Sequence, residues 1–146
     1  MLLATWFGAG RLPAAPGTWG SLAALPFAWG MAMLAGPSIL FAAALAALLA
    51  GIWASEAVTR ASGVKDPGEI VIDEVAGQWL ALAFVPLDPV AYALGFALFR
   101  IFDIFKPWPA NWIDRSVSGG PGIMLDDIVA GAYAGILLYF LLPYLP

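Results

Sequence analysis

Two short stretches of the chain repeat one pattern, Asp73-Glu74-Val75-Ala76-Gly77 and Asp127-Ile128-Val129-Ala130-Gly131. Each sets an Asp four residues before a Gly, and a small residue, Ala81 or Gly135, follows four later. On a helix these positions share one face, and small residues at that spacing let two helices in an apolar medium approach closely. Packing along the two faces is expected to bring Asp73 and Asp127 together at one end. Glu69 lies one turn before Asp73, Glu74 beside it and Asp126 beside Asp127, while Asp103 stands near the end of another apolar stretch. Converging carboxylates repel one another, and a charge at mid-bilayer costs roughly 2.5–3.5 kcal/mol on insertion scales, less near the interface. One or more hard divalent ions, Mg²⁺ foremost, would relieve both problems, because the available ligands are oxygens.

Composition narrows the chemistry further. The chain has 146 residues, 62% hydrophobic and 11% charged, with no Cys and no His. A soluble domain is usually about 25% charged, so the composition is that of a membrane protein, and its length suits one domain, residues 1–146. The absence of Cys and His excludes disulfides, thiolate nucleophiles, thiolate zinc sites and a phosphohistidine. A net charge of −4 argues against nucleic acid as a partner. The start, MLLATWFGAGRLP, has no basic n-region and too short an apolar run for a signal peptide.

The elements that must position the carboxylates read as an all-α, polytopic membrane bundle of about five hydrophobic helices. The segments are 21–35, 38–58, 70–85, 89–105 and 122–142, with the first and third short or partly re-entrant. The turns Ala35-Gly36-Pro37 and Pro86-Leu87-Asp88-Pro89 carry no Lys or Arg. Arg11, Arg60, Lys65, Lys106 and Arg115 fall in the other connections, with Arg100 near the same end of the fourth segment. That side is cytoplasmic by the positive-inside rule. Of the acidic residues only Asp88 maps to the opposite side, where Asp88-Pro89 reads as an N-cap followed by Pro at the first helical position.

Other polar residues admit simpler roles. Asp66-Pro67-Gly68-Glu69 has the form of a capping box, Glu56 and Arg60 are spaced to pair on one helix, and Asp114 and Arg115 lie in a polar loop. Trp108 and Trp112 suit an interfacial aromatic belt. Arg100 either pairs with Asp103 or, with Lys106, faces an anionic substrate. The Gly- and Pro-rich lead from Gly8 to Ser21 offers backbone amides to a phosphate, with Arg11, Thr18 or Ser21 assisting. It lacks the Gly-Lys-Ser/Thr ending of a P-loop.

Taken together, GAGRLPAAPGTWGS, KDPGEIVIDEVAGQW, FRIFDIFKPWP and GGPGIMLDDIVAG resemble the motifs of the phosphatidylglycerophosphatase A family, in order, from Gly8 to about Gly131. The resemblance implies a Mg²⁺-dependent phosphatase of the bacterial inner membrane that converts phosphatidylglycerophosphate, a phospholipid substrate, to phosphatidylglycerol and phosphate. The acidic motifs carry over onto Asp66, Glu69, Asp73, Glu74, Asp103, Asp126 and Asp127, and the basic one onto Lys106.

Alongside that resemblance, the residues suggest direct attack by a metal-activated water, because no aspartyl-phosphatase DxDxT pattern occurs. Glu69, Asp73, Asp103 and Asp127 would ligate Mg²⁺, Glu74 would position or deprotonate the water, and Lys106 with Arg100 would neutralise the phosphate. A divalent-cation transporter is the competing class, but its site would lie nearer the midplane. A CDP-alcohol phosphatidyltransferase would need an Asp-Gly…Ala-Arg signature that is missing.

Overall fold

The computed structural model describes residues 4–8, 16–63, 70–117 and 119–145. Among these residues six helices follow in order: α1 (Pro16–Ala35), α2 (Ile39–Ser62), α3 (Ile72–Leu82), α4 (Pro89–Phe105), α5 (Ala110–Ser116) and α6 (Gly119–Leu141), with a 3₁₀ turn at Leu142–Tyr144. No strand occurs among the described residues, so the all-α reading holds.

Local sequence explains the boundaries. Gly36, at φ +85°, takes the left-handed conformation that stops α1 and returns its N–H to Ala32 O at 2.8 Å. Asp88 caps α4 by accepting from Ala91 N at 2.8 Å, with Pro89 as the first helical residue. At the other end of α4, Lys106 adopts φ 47°, ψ 67°, and Pro107 prevents continuation.

The helix α3 occupies the centre, packed against α1, α2, α4 and α6. Of its 11 residues, Ile72, Asp73, Val75, Ala76, Gly77, Gln78, Trp79, Ala81 and Leu82 are buried. Its closest partner is α6, across the small-residue faces. A Cβ on Gly77 would meet the backbone oxygen of Asp127, and one on Gly131 would meet the backbone oxygen of Gly77. Trp79 Nε1 donates to Ala24 O at 3.0 Å and ties the same helix to α1.

Among the described residues two helices, Ile39–Ser62 and Gly119–Tyr144, are long and apolar enough to cross a membrane, fewer than the five the sequence suggests. At about 1.5 Å per residue, the 11 residues of α3 cover roughly half of a ~30 Å hydrocarbon core. The 20 residues of α1 have the length, but its PGTWGS start and internal Pro26 dilute its apolar character. Large apolar side chains nevertheless face outward on α1, α2, α4 and α6, among them Leu34, Trp53, Phe105 and Phe140. Surface of this kind belongs in an apolar medium.

Candidate functional site

The site forms where the first turn of α3 and the third turn of α6 meet the last turn of α4. The glycine contact between α3 and α6 lies one turn below Asp73 and Asp127 and sets the separation of their carboxylates. One oxygen each from Asp73, Glu74 and Asp127 lie within 4.8 Å of one another. Above them the start of α3 is held by the N-terminal segment, since Val71 N and Ile72 N both donate to Ala4 O, at 2.8 and 3.1 Å.

A chain of charges extends sideways from this trio along α4. Arg100 pairs with Asp103 and lies 3.9 Å from Glu74 Oε1. Lys106 Nζ lies 3.7 Å from Asp103 Oδ1 and donates to Asp126 Oδ2 at 2.8 Å. Asp103 therefore sits between two cations at the edge of the trio, and Glu74 stands beside Asp73 and Asp127. The left-handed turn at Lys106 bends the chain at this point, immediately before Pro107. Burial works against its ammonium charge, but Asp127, Asp126 and Asp103 outweigh that and hold its pKa above the ordinary lysine value.

The first turn of α1 closes another side. A Cβ on Gly17 would lie 2.8 Å from Glu74 Oε1 and 3.0 Å from Arg100 Nη1, so a side chain there would displace the ends of both. Thr18 follows on the same turn, half-buried. Arg11 and Glu69, together with Lys65 and Asp66, lie outside the described residues.

Five buried or half-buried carboxylates, Asp73, Glu74, Asp103, Asp126 and Asp127, thus stand against two cations, Arg100 and Lys106. Glu74 Oε2, Asp126 Oδ1 and Asp127 Oδ2 are buried without a hydrogen-bond partner among the described residues. Unpartnered buried anions are costly. A hard divalent cation fits this donor set of oxygens alone. Two oxygens on one Mg²⁺ at 2.0–2.1 Å are at most about 4.2 Å apart, so the observed 4.8 Å spread needs little closing.

Some features escaped the sequence reading. Glu56, taken as the partner of Arg60, does lie 3.5 Å from it, but its Oε2 also accepts from Gly120 N at 2.6 Å. It caps α6 from a neighbouring helix, where the first turn of α6 has no acidic residue of its own. The only sequence signal is a Gly-Gly-Pro-Gly helix start with no acid to meet its amides. Asp114 and Arg115 lie on the short helix α5 rather than in a loop, and there Arg115 Nε donates to Asn111 O at 3.2 Å on the surface.

Comparison with known proteins adds an independent line. The sequence model of the family described as Phosphatidylglycerophosphatase A matches residues 2–142. A phosphatidylglycerophosphatase A of Escherichia coli (strain K12) is 44% identical over 142 residues, covering 96% of this chain and 81% of the relative. One of Haemophilus influenzae is 40% identical over 139 residues, covering 94% and 85%. A Bacteroides thetaiotaomicron protein, provisionally named phosphatidylinositol-3-phosphatase, is 39% identical over 151 residues, covering 94% and 90%. No solved structure matches.

Proposed function

The chain belongs to the phosphatidylglycerophosphatase A family, and from that premise we propose that it is a Mg²⁺-dependent phosphatase hydrolysing phosphatidylglycerophosphate to phosphatidylglycerol and phosphate. The observation that carries the proposal is the trio Asp73, Glu74 and Asp127, gathered within 4.8 Å beside two cationic side chains. Those three residues would hold the ion. A divalent cation bound there supplies neutralisation of phosphoryl charge and polarisation of a water molecule.

The remaining residues divide the other tasks. Arg100 and Lys106 present N–H donors to the phosphoryl oxygens, where charge accumulates. Asp103, held between them, fixes their positions. The first turn of α1, at Gly17 and Thr18, adds backbone N–H groups beside Arg100. Asp126 has one oxygen on Lys106 and the other without a partner, and that free oxygen takes the proton of the attacking water. The water oxygen bonds to phosphorus as the bond to the glycerol oxygen breaks, and the leaving alkoxide takes the proton that Asp126 accepted from the water. With neither His nor Cys in the chain, direct displacement is the simpler route.

We place the site at the cytoplasmic face of the inner membrane in a multi-pass arrangement. Support comes from the grouping of Arg60, Arg100, Lys106 and Arg115 toward the carboxylate end, with Asp88 at the far end of α4.

The test is phosphate release from phosphatidylglycerophosphate by protein in detergent, with Mg²⁺ or EDTA, for wild type and Asp127→Asn. Release that requires Mg²⁺ and disappears in the variant supports the reading. Release that persists with EDTA, or in Asp127→Asn, overturns the metal assignment. A parallel assay on a 3-phosphoinositide decides whether the head group resembles that in the name of the Bacteroides relative.

A further inference from the structure

Among the grooves on the described residues, two are of similar size, and one of them ends at Pro107, the residue next to Lys106. The first, about 360 Å³, lies between α4 and α6 and is lined by Phe102, Pro107, Tyr133, Ile136, Leu137 and Phe140. The second, about 390 Å³, lies on α2 and ends at Glu56 and Arg60, which pair with each other while Glu56 also caps α6.

The first groove continues the seam that holds Lys106. Its upper lip is Pro107, the next residue, and Lys106 Nζ is bonded to Asp126 across that seam. Tyr133 stands seven residues after Asp126, two turns down the same face of α6. Leu137 and Phe140 carry that face down by about 10 Å more. The upper wall is fixed, because Tyr133 Oη donates to Trp108 O at 2.6 Å and its ring packs on Phe102 at 5.7 Å. Ammonium and carboxylate above, and an apolar channel of this length below, match the layout of a phospholipid.

We propose that this groove binds one acyl chain of the lipid substrate and so aligns its head group with Lys106, an inference resting on the phospholipid-phosphatase reading above. Its consequence is selectivity for chain length: a short-chain analogue reaches the charged site without using the groove.

The experiment compares wild type, Leu137→Trp and Ala57→Trp, the last filling the second groove. Two substrates carry the same phosphatidylglycerophosphate head group, one on oleoyl chains and one on hexanoyl chains. Leu137→Trp is expected to raise KM for the oleoyl substrate about tenfold and to leave the hexanoyl substrate within twofold; Ala57→Trp should change neither. An unchanged oleoyl KM, or equal losses on both substrates by an intact protein, overturns the proposal.

Photocross-linking of wild type with a diazirine placed mid-chain in the oleoyl substrate gives a second reading, independent of whether the variant folds. Label between Tyr133 and Phe140, displaced by excess substrate but not by phosphatidylcholine, supports the groove; label spread around the bundle counts against it. No phosphate release by wild type from either substrate would sink the phosphatase reading, and the cross-link would still decide the groove.

Discussion

Gly77 and Gly131 meet backbone to backbone: the carbonyl oxygen of Gly77 occupies the place where a side chain on residue 131 would begin. One turn above this contact stand Asp73 and Asp127. The separation of the carboxylates is therefore set by two missing side chains. Gly131→Ala forces the backbones apart, since no flexible side chain can yield. The expected cost is about 1–3 kcal/mol, read as a lower Tm in detergent, together with a loss of Mg²⁺-dependent phosphate release. Gly30→Ala is the control, because nothing lies within 4 Å of its added methyl. There the better helix propensity of Ala should leave stability unchanged or raise it by about 0.5–1 kcal/mol.

That contact was legible in the sequence, since Asp, Gly and a small residue recur at four-residue intervals in both segments, and so was the Asp88-Pro89 start of α4. Both are periodic or local signals. Other features depend on which helix lies beside which. The hydropathy of residues 70–85 suggested a crossing, but α3 is short and its apolar character comes from being enclosed by four helices rather than by lipid. The approach of Gly17 to Glu74 and Arg100, and the Glu56 cap on α6, join residues far apart in the chain. The pairing of Asp103 with Arg100 follows from their three-residue spacing on one helix, whereas its approach to Lys106 depends on the left-handed turn that ends α4.

The Glu56 cap separates two effects that spacing alone would merge. Glu56→Ala leaves Gly120 N without its acceptor at a helix start, which should cost about 0.5–2 kcal/mol, as for other lost N-caps. Arg60 is 80% exposed on its side chain, and an exposed pair contributes little. Arg60→Ala should therefore stay within about 0.5 kcal/mol of wild type. Thermal unfolding of the two variants checks the contrast; equal losses would mean that the ion pair, not the cap, carries the contribution of Glu56.

Lys106 combines a backbone role with a charge. A left-handed conformation costs a side-chain-bearing residue about 1–2 kcal/mol, and Gly avoids this. Lys106→Gly should thus be more stable than Lys106→Ala by about 1 kcal/mol. Both should lose phosphate release by about 10²-fold, the scale of removing one charge-stabilising donor. The folded pKa of Lys106 is raised, so its contribution to stability is complete below the unfolded value near 10.4 and is lost only as pH climbs through the higher folded value. No Lys106-dependent loss of stability is expected between pH 6 and 9, measured as the Tm difference between wild type and Lys106→Ala.

The dependence of activity on Mg²⁺ concentration distinguishes the residues that hold the ion from those that hold the cations. Asp73 and Glu74 share the trio with Asp127, and Asp73→Asn or Glu74→Gln removes charge from the donor set itself. Each should move the Mg²⁺ concentration for half-maximal phosphate release upward by at least tenfold, about 1.4 kcal/mol of binding. Asp103 contacts Arg100 and Lys106. Asp103→Asn should leave that Mg²⁺ midpoint within about threefold, a shift below 1 kcal/mol, while raising KM for the lipid, because two phosphate-facing cations lose their common anchor. A titration of each variant at saturating lipid, followed by a lipid titration at saturating Mg²⁺, separates the two effects. A large Mg²⁺ shift in Asp103→Asn, with none in Glu74→Gln, would return Asp103 to the ligand set and leave Glu74 to position or deprotonate the water.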